Sequence, residues 1–364
     1  MIDPAHMRAA LGLARRGLGS VWPNPSVGCV IVRDGRVVGR GVTAPGGRPH
    51  AETEALAMAG EAARGATAYV TLEPCCHHGQ TPPCTDALIA AGVARVVIAT
   101  GDPDARVDGK GAAVLRAAGI AVDEAVLTAE ARELNAGFIS RVVRHRPLVT
   151  LKLASTLDGR IATRSGESQW ITGGAARRAA HALRGRHDAV MVGVGTLLAD
   201  NPELTCRIAG FRATPVVRVV ADSHLRTPLT ARMVISAQDA PTWLIARDGA
   251  DPARRAALTA LGVTLLDVPG SETGVDIAAA LTALAGRGIT RLLVEGGGQL
   301  AASLLRADLV DRIVWFHAPG VMGGDGWPAA QAFGVARLAD MPRFARHAVA
   351  PVGDDVMTEL RRAA

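Results

Sequence analysis

A chain of 364 residues, 49% of them hydrophobic, is long enough for two domains, because single cores stop growing at roughly 250–300 residues. No apolar run is long enough to span a bilayer, and the recurrence of Gly and Pro argues against long helices. The formal charge of +6 suits an anionic ligand, but aromatics are only 3% and no Lys/Arg block of five occurs, which disfavours nucleic acid and favours a small phosphorylated molecule.

The first twenty residues, MIDPAHMRAALGLARRGLGS, read as an amphipathic helix with Met7, Leu11 and Leu13 beside arginines. They lack the pattern of a signal peptide, so the cytoplasm is the expected compartment. Residues 27–33 and 36–39 are β-rich runs around Asp34-Gly35, a hairpin signal. A helix is expected from His50, with Ala51, Ala55 and Ala59 on one face and a stop at Gly60 or Gly65. Strands follow at 67–72, 94–100 and 121–127, with helices starting at Thr85 and ending in 114–120. The basic stretch RVVRHRP (141–147) is expected to be a linker.

After it the alternation restarts. LVTLKLAS, DAVMVGV, PVVRVVAD, PTWLIAR, GVTLLDV, RLLVEGG and DRIVWFHA are strand candidates, with helices at AARRAAHALRG and QLAASLLRA. Alternation in both halves implies α/β architecture throughout. The last forty or so residues carry no motif.

Five cysteines, three of them within residues 75–84, do not make a disulfide framework and point instead to metal or catalysis. His50-Ala51-Glu52 is followed by Glu73-Pro74-Cys75 and later Cys84. A zinc deaminase needs one imidazole, two thiolates, a fourth position open to water, and a nearby carboxylate that moves protons without ligating. His-x-Glu at a helix start supplies the imidazole and the carboxylate. The spacing departs from Pro-Cys-x-x-Cys, because CHHGQTPP separates Cys75 from Cys84. Cys76, His77 and His78 are therefore alternative ligands on spacing alone. Two other readings stand beside this one. A nucleic-acid base deaminase would show a basic groove with aromatics; a non-catalytic zinc protein would show a closed four-ligand shell.

The segments TLEPCCHHGQTPPCTDALI, PNPSVGCVIV and GDPDARVDGKG are similar to the deaminase half of the bifunctional riboflavin-biosynthesis deaminase/reductase family, which carries the same insertion. The resemblance implies that His50, Cys75 and Cys84 bind Zn2+ and that Glu52 shuttles protons. It makes Asn24 a partner of the pyrimidine and His77 and Lys110 phosphate or ribose contacts.

LVTLKLASTLDGRIA, GESQWITG, DAVMVGVGTLLADNPELTCR and LLVEGGGQL resemble the reductase half of the same family. The implied fold is a cytidine-deaminase-like α/β/α sandwich over 1–146 followed by a dihydrofolate-reductase-like α/β domain over 147–364. Gly296-Gly297-Gly298, between a strand and a helix, suits a dinucleotide pyrophosphate, while no full G-x-G-x-x-G is present. By resemblance Ala154, Trp170, Thr196, Asp200 and Ser223 join that turn in holding NADPH. Ser168, Arg184, Leu204, Arg207 and Glu295 take substrate positions, with Arg184 and Arg207 as a phosphate clamp. Lysine occurs only at 110 and 152 among 40 basic residues, and Lys152 or Asp200 is the expected proton source for reduction. The implied substrate is a small phosphorylated pyrimidine, deaminated in one half and reduced on its ribosyl side chain in the other; a homo-oligomer is the expected assembly.

Overall fold

A computed structural model describes residues 4–212, 214–271 and 274–363, so residues 1–3 of the expected first helix lie outside it. The chain divides into two compact units, Met1–His145 and Arg146–Ala364.

In the first unit, strands β1 (Gly28–Arg33), β2 (Arg36–Val42), β3 (Thr67–Val70), β4 (Arg95–Ile98) and β5 (Ala121–Asp123) form one sheet in the order β2-β1-β3-β4-β5. β1 runs antiparallel to β2 and β3, while β3, β4 and β5 are parallel. Successive side chains alternate between two cores, as a period of two requires. Cys29 and Ile31 of β1, Val70 of β3 and Val96 and Ile98 of β4 pack with helices α2 (Ala51–Ala59), α3 (Cys84–Ala90) and α4 (Lys110–Ala117). Val30 and Val32, Tyr69 and Val97 pack on the opposite face with α1 (Pro4–Gly17) and α5 (Thr128–Leu134). The result is an α/β/α sandwich.

Two glycines of β2 bring α2 down onto the sheet. A Cβ on Gly39 would lie 2.2 Å from the Ala55 carbonyl oxygen, and one on Gly41 would lie 2.0 Å from that of Ala51. No other residue permits that approach, and it fixes the start of α2, where His50 is the N-cap. Gly60 ends α2 with φ 53°, as expected.

Three expectations need correction. Only Ala121–Asp123 of the 121–127 run is strand. The basic stretch 141–147 does hold the division between the units, at His145 and Arg146, but its first part is helical: helix α6 spans Ala136–Arg144, with Phe138 in the core and Val142 packed against it. Arg141 and Arg144 fall in its last turn, where cations complement the helix dipole. Arg146 pairs with Asp311 at 2.6 and 2.8 Å, and Asp311 also accepts the Val149 N–H, so this arginine anchors the first strand of the second unit. Finally, the motif-free C-terminus is a long antiparallel hairpin, described next.

The second unit contains β6 (Leu148–Thr156), β7 (Arg160–Ala162), β8 (Ala189–Gly193), β9 (Val217–Ala221), β10 (Thr242–Arg247), β11 (Thr264–Val268), β12 (Gly270–Ser271), β13 (Gly274–Val275), β14 (Arg291–Val294), β15 (Arg312–Ala318), β16 (Trp327–Pro328), β17 (Phe344–Val352) and β18 (Asp355–Arg362). Nine of these make one sheet, β11-β10-β9-β8-β14-β6-β15-β18-β17, parallel up to β15 and closed by the antiparallel β17–β18 hairpin. The helices are α7 (Gly174–Gly185), α8 (Val194–Asp200), α9 (Arg232–Ile235), α10 (Pro252–Ala260), α11 (Ile277–Gly286) and α12 (Gly298–Arg306). Val190, Val192, Val220, Leu244 and Leu293 form a core with Leu197, Met233 and Leu258 of α8, α9 and α10. The chain lays down β6, then β8 through β11 outward, and returns to insert β14 between β8 and β6. That insertion makes a switch point, and in open α/β sheets ligands bind beyond the strand C-termini at such a point.

Candidate functional site

In the first unit, His50 caps α2 and Glu52 lies in its first turn, buried to 3% exposure. Cys75 follows β3, and Cys84 begins α3. One ligand atom from each of His50, Cys75 and Cys84 lies within 4.8 Å of the others. His50 Nδ1 is 3.3 Å from Cys84 Sγ and 3.7 Å from Cys75 Sγ. Tetrahedral zinc, with bonds of ~2.05 Å to nitrogen and ~2.3 Å to sulfur, sets such ligands about 3.6 Å apart. The donor set therefore fits Zn2+ in both chemistry and spacing.

Electrostatics agree. Hydrogen bonds from Cys84 and His50 pull the Cys75 thiol down to about 4, while its hydrogen bond to Cys75 and its burial push Cys84 well up. The pair holds one thiolate readily and resists a second until a cation joins them. Burial, then the Cys75 charge, raises the Glu52 carboxyl to about 7, the range of a group that both gives and takes protons at neutral pH.

The rest of the pocket is tied in by hydrogen bonds. Asn24 Nδ2 donates to the Gly47 carbonyl at 2.8 Å, which binds it to the segment leading into His50. Buried Glu73 accepts from the Gly109 and Ala112 N–H groups at 3.0 and 3.1 Å and so holds the 101–111 segment beside β3. Lys110 Nζ donates to the Ala105 carbonyl, and His77 Nδ1 is buried without a partner. Cys76 Sγ lies 3.7 Å from the Arg106 carbonyl, away from the three-residue cluster. Sequence reasoning missed Arg48. Its Nη1 lies 3.2 Å from His50 Nε2, a contact made only because the 76–83 insertion folds back over it. Cys76→Ala is accordingly expected to retain one zinc per chain and Cys84→Ala to lose it; elemental analysis giving the reverse would reject this ligand set.

In the second unit the expected residues gather at the strand C-termini around the β14 insertion. Lys152 and Ala154 are on β6, Thr196 is in the first turn of α8 after β8, and Glu295 to Gly298 follow β14. The Gly297 N–H donates to Thr196 Oγ1 at 3.0 Å, and Gly296 takes φ 115°, so the glycine turn rests on the start of α8. Ser223, just after β9, faces Gly274, where a Cβ would lie 2.7 Å from the serine oxygen.

Arg184 of α7 forms a two-pronged pair with Glu295, Nε to Oε1 at 2.5 Å and Nη2 to Oε2 at 2.9 Å, at 15% and 6% side-chain exposure. Burial pushes the Glu295 carboxyl up, but Arg184 and Lys152 outweigh it and hold the group below its ordinary value. Burial lowers the Lys152 ammonium, although Glu295 opposes this. Arg207 is exposed, and its Nη2 lies 3.3 Å from Nε2 of His181, one turn before Arg184 on α7. Arg184 Nη1 donates to the Thr205 carbonyl, which also lies 3.1 Å from His181 Nδ1, so both arginines flank this imidazole, and burial followed by their charges holds its pKa down.

Other expected positions are less direct. Leu204 is a core side chain at 3% exposure with φ 51°, so its backbone is what it can offer a ligand. Trp170 is no core residue: it is 70% exposed beneath the Arg177 guanidinium, 4.6 Å from the ring centre. Asp200 is exposed at the end of α8, and Ser168 lies half-buried in the loop before Trp170.

Known proteins carry the same two parts. The family model described as the cytidine and deoxycytidylate deaminase zinc-binding region matches residues 2–100, and the RibD C-terminal domain matches 147–356. The chain is 42% identical over 361 residues to riboflavin biosynthesis protein RibD of Aquifex aeolicus and 43% identical over 371 to that of Escherichia coli, covering 99% of each chain in both comparisons. The fold is similar to that of Acinetobacter baumannii RibD, with TM-score 0.89, 38% identity and coverage of 100% of this chain and 99% of that one. It is also similar to a diaminohydroxyphosphoribosylaminopyrimidine deaminase/5-amino-6-(5-phosphoribosylamino)uracil reductase of Thermotoga maritima, with TM-score 0.86, 36% identity and coverage of 99% and 98%. With a zinc-fitting His/Cys/Cys cluster in one unit and a glycine turn at the switch point of the other, the chain belongs to the RibD family of bifunctional riboflavin-biosynthesis enzymes.

Proposed function

We propose that this chain deaminates 2,5-diamino-6-ribosylamino-4(3H)-pyrimidinone 5′-phosphate and then reduces the ribosyl side chain, giving 5-amino-6-ribitylaminouracil 5′-phosphate. The observation that carries the reading is the His50, Cys75 and Cys84 cluster with buried Glu52 beside it, in a chain that also holds the reductase pocket. We assign deamination to the unit ending at His145 and reduction to the unit beginning at Arg146.

Zinc supplies a Lewis acid that makes a water nucleophilic near neutral pH. Glu52 takes the proton of the attacking water and delivers it to a ring nitrogen; it then takes the proton of the newly added hydroxyl and passes it to the amine, which leaves as ammonia. Its raised carboxyl suits both rounds of taking and giving. Asn24, held by one amide hydrogen on the Gly47 carbonyl, has its amide oxygen and its second N–H left for the ring.

NADPH supplies the hydride that reaches C1′ of the ribosyl group. We place it over Ala154, Trp170, Thr196, Asp200, Ser223 and the turn Gly296, Gly297 and Gly298. Ser168, Arg184, Leu204, Arg207 and Glu295 face the substrate, with exposed Arg207 taking its phosphate. Of the two proton sources, Lys152 is better supported than Asp200, being half-buried on β6 near Glu295, with burial holding its ammonium below the ordinary value. Free cysteines, two of which serve as thiolates, suit the reducing cytoplasm. A homo-oligomer is supported by β17, which among the described residues pairs only with β18 and leaves one edge open.

The test is to incubate the zinc-loaded chain with the diamino substrate and follow ammonia release and NADPH oxidation separately. Ammonia release without NADPH, followed by oxidation when NADPH is added, is the expected result. NADPH oxidation with no prior ammonia release would overturn the order of the two steps.

A further inference from the structure

Arg48 lies two residues before the zinc-fitting histidine and is held on two sides. Its Nε donates to Gln80 Oε1 at 3.1 Å, and its Nη1 donates to Thr81 Oγ1 at 3.2 Å. Both partners are neutral and both belong to the insertion between the cysteines. Among the described residues no carboxylate pairs with this guanidinium, and Nη2 makes no hydrogen bond. Nη2 sits at the turn of the insertion, 4.0 Å from where a Cβ on Gly79 would be. A half-buried cation is thus oriented by uncharged groups, with one edge left open.

The contact with His50 sharpens this. Nδ1 is the nitrogen facing the two sulfurs, so when it ligates a metal the ring hydrogen resides on Nε2. Arg48 Nη1 lies 3.2 Å from that same Nε2. Two donors then face each other: Nη1 spends one of its two hydrogens on Thr81, and an acceptor that reached both nitrogens would relieve the contact. The substrate's dianionic group is its 5′-phosphate. A guanidinium edge matches two phosphate oxygens at once, which an ammonium does not.

We propose that Arg48 binds the 5′-phosphate of the substrate in the deaminase half, oriented for it by Gln80 and Thr81. The inference rests on the deaminase reading above. It puts the main phosphate contact on Arg48, whose planar edge is oriented by two partners, instead of on exposed Lys110, whose ammonium leans on the Ala105 carbonyl.

The experiment uses the full-length, zinc-loaded chain. Ammonia release is measured on the phosphorylated substrate and on its dephosphorylated riboside, and ribose 5-phosphate is titrated as a competitor. Arg48→Ala is expected to raise KM for the phosphorylated substrate roughly tenfold to a hundredfold, the usual loss for a charge-assisted hydrogen bond. The riboside should be unaffected, zinc should stay at the wild-type level, and competition by ribose 5-phosphate should weaken by a similar factor. Arg48→Gln, which keeps uncharged donors toward the insertion, should show the same selective loss and serves if the alanine variant does not fold. Arg48→Lys should recover part of it. Equal penalties on both substrates, or loss of zinc along with activity, would make Arg48 a latch for the insertion and overturn the proposal. A phosphate-selective loss in Lys110→Ala but not in either Arg48 variant would overturn it as well. Absence of ammonia release by the wild-type chain is a different failure, since it strikes the deaminase reading itself.

Discussion

Glu52→Gln should keep its zinc and lose deamination. The carboxylate is outside the ligand cluster, so elemental analysis should read the wild-type value. Ammonia release should fall by at least the ~10²–10⁴-fold typical of a general acid–base group. The upper end is expected because one side chain serves every proton transfer in the step. NADPH oxidation on pre-deaminated substrate should be unchanged, since Glu52 belongs to the first unit. Near-normal ammonia release would remove Glu52 from the mechanism, and loss of zinc would make it a ligand.

The second large effect is expected in the reductase unit. Arg184→Ala strands the Glu295 carboxylate, which is 6% exposed and takes two hydrogen bonds from the guanidinium. Removing one partner of a buried pair costs about 3–5 kcal/mol, because the remaining charge has lost its compensation. Denaturant melts of the full chain should show that loss in the second unit, with ammonia release preserved and NADPH oxidation abolished. The double variant Arg184→Ala/Glu295→Gln should recover part of the stability, since the stranded charge is then gone. Unchanged melts in Arg184→Ala would mean that the pair is solvated and the argument wrong.

How much of this was legible in the residues differs between the two halves. The deaminase chemistry was, because its parts sit on adjoining elements. His50 and Glu52 share one helical turn, and Cys75 and Cys84 bracket a single loop. Pattern also located most strands of both sheets, since β1, β3 and β4 alternate between two cores and the central parallel strands β8, β10 and β14 are short, almost wholly buried apolar runs. The reductase pocket was legible only through resemblance. Arg184 and Glu295 are 111 residues apart, and nothing local to either marks a pair. They meet because β14 returns between β8 and β6, a crossover no local pattern encodes. That Arg184 already holds Glu295 was hidden from the sequence for the same reason. Leu204 is apolar and buried, so its left-handed backbone was invisible in the sequence. The C-terminal hairpin escaped because β17 is exposed on both faces and lacks the in–out alternation that betrays a strand. The stretch 141–147 misled through its charge: its arginines finish a helix and anchor a strand.

The eight residues between Cys75 and Cys84 have a consequence for how such sites are found. Both ends of that segment converge on one metal-sized point. The cost of closing such a loop is entropic and grows only as the logarithm of its length, by about 0.6 kcal/mol for each doubling. A metal whose binding is worth on the order of 10 kcal/mol or more absorbs a longer loop without strain. The interval between two cysteine ligands is therefore nearly free to drift, and a search pattern that demands two intervening residues measures loop length. What the chemistry holds fixed is the order of donors along the chain and the elements that carry them: imidazole at a helix start, one sulfur after a strand, the other at the head of the next helix.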